Sequence, residues 1–305
     1  MMTVHCAPFR LRQILRAPQS LVPILSRNRS RQNGVCLQWF ENGDIAGAKP
    51  ALQGRAENGR PNSLLYWDTM DTRLIHEVIR VGMLQCNCSI LGDAATHDAV
   101  VVDPGDEAEQ ILEVLRRHAL KVRAIISTHT HIDHVGGLAV LHRSTGAPVL
   151  IHEADLELYR HLDIQAEWLG VPTPEMTDIN DFVKESDTVC WGGFTARVLH
   201  TPGHTLGSIS LLIEPLQGGN SASVPQAEAS HLERAKTMGL SRLLSGDTLF
   251  QGSIGRTDLW GGSFPAIVSS IREKLLVLPE DMVVYPGHGD TTSIGFERAH
   301  NPFVR

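Results

Sequence analysis

The apolar run Val122–Ser127 leads straight into Thr128-His129-Thr130-His131-Ile132-Asp133-His134. Three imidazoles and a carboxylate within six residues form a ligand set of the kind Zn²⁺, Fe²⁺ or Mn²⁺ accepts. Any fold for this chain must therefore bring a strand to its end at one point and turn sharply into a helix there. His129 and His131, two apart in extended chain, face the same side, and Asp133 and His134 fall on the turn that opens the next helix. Three further candidate ligands stand far downstream, each just after a predicted strand: His204 in Thr201-Pro202-Gly203-His204-Thr205, Asp247 in Ser245-Gly246-Asp247-Thr248, and His288 in Pro286-Gly287-His288-Gly289. Glycine beside each lets the backbone turn tightly and approach closely. One histidine alone reads as an ordinary hydrogen-bonded residue, which is the reading for His97, His118, His142, His161 and His300. Seven such groups, all at strand ends, do not.

From about residue 73 the pattern alternates between strand and helix. Leu74–Val81, Ala99–Val102, Val122–Ser127, Pro148–His152, Thr195–Leu199, Ser208–Ile213, Arg242–Ser245 and Met282–Tyr285 read as strands. Glu107–His118 is an amphipathic helix, with Ile111, Leu112, Val114 and Leu115 on its apolar side. Helices are also expected over residues 135–144, 155–161 and 265–276. The alternation predicts an α/β layered fold over residues 71–305, with a loop-like insertion at about 214–240 that carries a short helix near Glu228–Thr237.

The first 40 residues hold six Arg and no acidic residue, and no steady period runs through the first 70. Three readings stand open for 1–70: an organelle-targeting segment, a disordered leader, or sequence upstream of a start at Met70. The absence of an apolar segment with a small-residue cleavage site argues against secretion, so the expected location is the cytoplasm, with an organelle as the alternative. Nine Lys/Arg against three Asp/Glu in residues 1–60 mean that the net charge of −7 understates how acidic the rest is. An acidic body argues against nucleic acid as substrate. No run of 18 apolar residues is present, so no membrane helix is expected. An odd number of cysteines, five, points to a reducing compartment without a disulfide frame.

The series HxHxDH, His in TPGHT, Asp in GDT and His in PGHG resembles the metal-ligand series of the metallo-β-lactamase superfamily, over roughly residues 74–303. Asp103, in Val100–Asp103-Pro104-Gly105, resembles its orienting carboxylate. Gly246–Phe250, Gly255–Asp258, Pro286–Glu297 and Asn301–Phe303 are similar to the glyoxalase II (hydroxyacylglutathione hydrolase) branch, in its short bacterial form without a C-terminal helical domain. The resemblance implies a four-layer αββα sandwich and two divalent metal ions, most readily zinc, with iron or manganese as alternatives. It puts one ion on His129, His131 and His204 and the other on Asp133, His134 and His288, with Asp247 bridging. Asp133 and Asp247 are the implied catalytic carboxylates.

The implied reaction is hydrolysis of a small glutathione-derived thioester, of the S-lactoylglutathione type, by a hydroxide shared between the metals. A thiolate of pKa about 8.5 leaves without obligatory protonation. The alternative is a mononuclear iron persulfide dioxygenase using His129, His204 and Asp247, whose members also carry GRTD. β-Lactamase activity is disfavoured, since those enzymes usually have Cys or Ser in place of Asp247. Secondary expectations concern Arg256 and Asp258, as a brace for Asp247 or as a structural pair, and Tyr159 and Arg160, as glutathione-carboxylate contacts or plain surface residues. Cys86 and Cys88 read as buried small residues between strands. Trp260 and Phe264 read as pocket wall or core.

Overall fold

A computed structural model of the protein describes residues 73–216 and 241–305, together with the strands β1 (Ile24–Arg29) and β2 (Val35–Phe40). The rest of residues 1–70, with the three readings open for them, and residues 217–240 of the expected insertion lie outside the described residues. Within 1–70, β1 and β2 pair antiparallel, Ile24 opposite Phe40.

The period of two visible in the sequence places side chains on opposite faces of two sheets. The first sheet holds, in order, β3 (Leu74–Val81), β4 (Cys86–Asp93), β5 (Asp98–Val102), β6 (Lys121–Ile126), β7 (Val149–His152) and β8 (Asp181–Val183). Its β3–β4–β5 part is antiparallel and its β5–β6–β7–β8 part parallel. The second sheet includes β9 (Thr188–Trp191), β10 (Phe194–His200), β11 (Ile209–Pro215), β12 (Arg242–Gly246), β15 (Val283–Pro286) and β16 (Thr292–Ser293). Its order is β1-β2-β9-β10-β11-β12-β15-β16, with β12 and β15 parallel. A separate two-stranded ribbon joins β13 (Leu249–Phe250) to β14 (Ser253–Ile254).

The sheets pack face to face over Leu91, Val100, Val102, Ile126 and Leu150 on one side and Trp191, Phe194, Val198, Leu211, Ile213 and Leu244 on the other. Alternate residues face outward. Val101 and Ile125 meet the helices Ala108–Arg117, Leu138–Thr145 and Leu162–Leu169 through Ile111, Leu138, Leu141 and Leu162. Leu212, Leu243 and Val284 meet the helix Phe264–Ser270, the turn Ile271–Leu275 and the helix Ile294–His300 through Ile267, Ile271, Leu275 and Ile294. Four layers result: helix, sheet, sheet, helix. Ser263 and Ser293 cap the last two helices by accepting the N–H groups of Ala266 and Phe296.

The structure departs from the sequence reading in several places. Cys86 and Cys88 lie inside β4 rather than between strands, because the polar Asn87 and Ser89 interrupt an otherwise apolar run. The helix expected over 135–144 splits into Ile132–Val135 and Leu138–Thr145 at Gly136-Gly137. A Cβ on Gly136 would lie 2.3 Å from the Gly105 carbonyl oxygen, so the break is a close backbone crossing. The strand at 208–213 runs on to Pro215, inside the expected insertion. Cys190 is disulfide-bonded, against the disulfide-free reading; an odd cysteine count excludes only complete pairing. No helix among the described residues is long and apolar enough to cross a membrane.

Candidate metal centre

Every candidate ligand sits just past the C-terminal end of a strand: His129 to His134 after β6, His204 after β10, Asp247 after β12 and His288 after β15. Because the two sheets face each other, these four loops meet at one edge of the sandwich. Asp103, just past β5, ties the first loop down. It adopts the left-handed conformation (φ +54°), which Asp tolerates better than most residues. Its carboxylate accepts the Thr128 N–H at 2.7 Å and the Thr128 hydroxyl at 2.8 Å. At Gly287 a Cβ would lie 2.2 Å from Asp247 Oδ1 and 2.8 Å from His134 Cε1, so only glycine lets this loop close over the other ligands.

All seven predicted residues come together. Their ligand atoms form three groups, each within 4.8 Å: His129/His131/His204, His129/His134/Asp247 and Asp133/His134/His288. Asp247 lies between the outer two groups, with Oδ2 3.6 Å from both His204 Nε2 and His288 Nε2, and Oδ1 3.5 Å from His134 Nε2. Asp133 Oδ2 stands 3.1 Å from His288 Nε2.

The outer nitrogens of the rings fix which inner nitrogens carry lone pairs. His204 Nδ1 donates to the Arg256 carbonyl (2.8 Å), and His288 Nδ1 to the Leu84 carbonyl (3.1 Å). His134 Nδ1 lies 3.2 Å from Asp103 Oδ2. His129 Nδ1 donates to Thr128 Oγ1 (3.2 Å), whose own proton goes to Asp103. The Nε2 lone pairs therefore point inward. His134 Nε2 and His288 Nε2 face each other at 3.2 Å, and His131 Nδ1 lies 2.9 Å from His204 Nε2. His129 Nε2 and Asp247 Oδ1 are buried with no hydrogen-bond partner. Converging lone pairs and orphaned buried acceptors are costly unless a cation satisfies them, so the donor set fits divalent ions.

The electrostatics divide the candidate ligands. Burial, then the neighbouring imidazoles, holds His129 well below the ordinary histidine range, and burial and His204 take His131 down to about 3. Burial also lowers His204. Burial works against the charged form of Asp133, but His134 and His288 outweigh it and hold the carboxylate below its usual range. His134 and His288 go the other way: burial opposes their charged forms, but the groups around them, Cys86 and Asp133 at His134 and Asp133 at His288, outweigh it and raise both above the ordinary histidine range, so an ion bound there would displace protons.

The secondary candidates divide. Tyr159 is buried, its hydroxyl donating to the Thr177 carbonyl and accepting the Thr177 N–H, both at 3.0 Å, and Arg160 pairs with Glu157 at 3.5 Å. Both are engaged in contacts of their own rather than with the ligand set. Arg256 and Asp258 form an exposed bidentate pair at 2.9 Å, so it is the Arg256 carbonyl that braces a ligand, His204. Trp260 and Phe264 are half exposed and not core, with Trp260 against the His161 ring. Two residues not singled out from sequence also tie ligand loops together, Asp155 after β7 and Asn87 in β4. The signal available for Asp155 was its place: it follows an apolar strand as Asp103 does.

The family model of the metallo-beta-lactamase superfamily matches residues 81–215 and 237–288. The Haemophilus influenzae hydroxyacylglutathione hydrolase GloC is 34% identical over 230 residues, 75% of this chain and 97% of that protein. Among solved structures, the B3 metallo-beta-lactamase BLEG-1 is 34% identical with a TM-score of 0.63, covering 75% of this chain and 99% of that one. TTHA1623 in a di-iron-bound form is 33% identical (TM-score 0.58, 74% and 99% covered). ETHE1 from Myxococcus xanthus is 27% identical (TM-score 0.56, 75% and 83% covered).

Proposed function

The chain belongs to the metallo-beta-lactamase superfamily, and from that premise we propose that it is a metal-dependent hydrolase cleaving a small thioester of the S-acylglutathione type. One observation carries the reading: Asp133, His134 and His288 stand beside His129, His131 and His204 as a second complete group, with both oxygens of Asp247 turned to the space between them. That is a donor set for two ions. The 34% identity to a protein named hydroxyacylglutathione hydrolase, over 97% of its length, supports the substrate class. The carboxylate at 247, where true β-lactamases usually carry Cys or Ser, supports it too.

His129, His131 and His204 would hold one ion and Asp133, His134 and His288 the other, with Asp247 shared. A pair of divalent ions supplies an activated water at neutral pH and stabilises charge developing on a carbonyl oxygen. The protein's own part is orientation. Asp103 holds Thr128 and His134 in place, so the rings it braces need no reorganisation during the reaction. Asp133 and Asp247 would partly offset the positive charge of ions held there. A thiolate leaving group, with a pKa of about 8.5, asks no acid of the protein. Zinc is the ion we favour, and the di-iron form of TTHA1623 makes iron the first alternative. The cytoplasm is the location we infer.

The test is loss of the S-D-lactoylglutathione thioester absorbance with protein reconstituted separately with Zn²⁺, Mn²⁺ and Fe²⁺. Turnover abolished by His131→Ala and by Asp247→Ala supports the reading; a folded, metal-loaded protein inert with every ion sinks it. The likeness to the Myxococcus protein favours a second reading, a mononuclear iron persulfide dioxygenase on His129, His204 and Asp247. Oxygen uptake with glutathione persulfide, strong in the iron form and absent in the zinc form, would reverse the order.

A further inference from the structure

We propose that Asp155 is a positioning residue that builds the His129–His131–His204 half of the centre and leaves the other half alone. The inference rests on reading those three histidines as ligands. Asp155 ends the short turn Glu153–Asp155 after β7 and is buried. Its Oδ2 accepts the Thr130 N–H at 3.1 Å and the Thr205 hydroxyl at 2.9 Å, and its Oδ1 accepts the Gly207 N–H at 2.6 Å. Its backbone carbonyl accepts the Thr130 hydroxyl at 3.0 Å. Thr130 stands between His129 and His131, and Thr205 follows His204. A single side chain thus pins two loops that are far apart in sequence and carry all three ligands. The fit is tight: a Cβ on Gly207 would lie 2.7 Å from Asp155 Oδ1.

The other half has its own fastening. The Asn87 backbone N–H donates to the Gly287 carbonyl at 2.7 Å, and its Nδ2 donates to the carbonyls of Pro286 and Gly289, both at 2.9 Å. These bonds hold the loop of His288 only. The β6 loop carries ligands of both halves, His129 and His131 first and then Asp133 and His134, but Asp155 grips it at Thr130, between the first two, and the downstream loops of His204 and His288 are fastened by different residues; on that account the two ion affinities are separable. Asp155 must be a carboxylate because three donors converge on its two oxygens; an amide accepts on one oxygen and turns an NH₂ toward the remaining donors.

Cobalt(II) titration followed by visible absorption, together with metal analysis, tests this, with His131→Ala and His288→Ala defining the spectrum lost from each half. In Asp155→Asn one ion binds about 10–100-fold more weakly, as for lost outer-shell partners elsewhere. The band it loses matches the one lost in His131→Ala, and the other ion stays within about threefold. Thr205→Val, which removes one donor, shifts the same ion by less and serves if Asp155→Asn does not fold. Asn87→Ala gives the reciprocal pattern, matching His288→Ala. Equal weakening of both ions in Asp155→Asn, or a lost band matching His288→Ala, overturns the inference. If His131→Ala loses one ion while Asp155→Asn and Thr205→Val bind both as before, the inference fails alone; if His131→Ala keeps both, the ligand reading fails with it.

Discussion

Replacing Asp103 by Asn isolates one carboxylate charge behind the centre. The amide keeps the size of the side chain and tolerates the left-handed φ of +54° as well as Asp does, so the backbone has no cause to move. Asn Oδ1 still accepts the Thr128 N–H, now at 2.7 Å. The other oxygen is replaced by an NH₂ that meets the Thr128 hydroxyl, 2.8 Å away, and His134 Nδ1, 3.2 Å away. His134 Nδ1 then faces an NH₂ where a carboxylate oxygen stood 3.2 Å away, and its ion should bind at least about 10-fold more weakly, as when an outer partner of a metal-ligating histidine is lost. The damage also reaches His129. With the amide donating to Thr128 Oγ1, the hydroxyl turns its proton toward His129 Nδ1, which favours the tautomer with a proton on Nε2, where the ion should bind. Asp103→Asn therefore weakens both ions, unlike Asp155→Asn. Zinc competition against a chromophoric chelator reads both affinities. Two affinities within about threefold of the parent would refute the relay from Asp103 through Thr128.

Gly287→Ala places a methyl 2.2 Å from Asp247 Oδ1 and 2.8 Å from His134 Cε1, so turnover should fall about 10-fold or more and the urea midpoint of the chelated protein should drop by an amount equivalent to about 1–3 kcal/mol; unchanged turnover would contradict the close approach. Burial, then Arg242, holds the His76 ring down at about 3 against an ordinary 6.5. The unfolded chain therefore takes up a proton below 6.5 that the fold refuses, and stability falls with pH from 6.5 toward 3, by up to about 1.4 kcal/mol per pH unit. Urea unfolding at pH 6.5 and 4.5 should show a shallower fall in His76→Gln; an unchanged slope would assign the loss to other groups. Phe194, fully buried between the sheets, should cost about 3–5 kcal/mol as Phe194→Ala in the same assay, and a loss under about 1 kcal/mol would contradict its place in the core.

The candidate ligands were legible because each follows an apolar strand closely, four of them clustered within six residues and the other three beside a glycine, which are local properties. Strand, turn and ligand type can be read without knowing what packs on what, and all seven meet in the structure. The apolar run Ala99–Val102 likewise read as a strand, and the structure covers it on both faces, Val100 and Val102 on one and Val101 on the other. β4 was not legible, since Asn87, Ser89 and Asp93 look like loop residues until the fold buries them or gives them partners. The roles of Asp155 and Asn87 were hidden for a stronger reason, although Asp155 follows an apolar strand as Asp103 does. Each acts by joining segments distant along the chain, Thr130 to Thr205 in one case and β4 to the His288 loop in the other. The amino-acid sequence alone determined the candidate ligands, their strand-end placing and the layered class, because these follow from side-chain chemistry and periodicity. Which loops touch, which ring nitrogen faces inward and which loops Asp155 joins were decided by the tertiary structure, because hydrogen-bond partners far apart in the chain meet only when the two sheets close on each other.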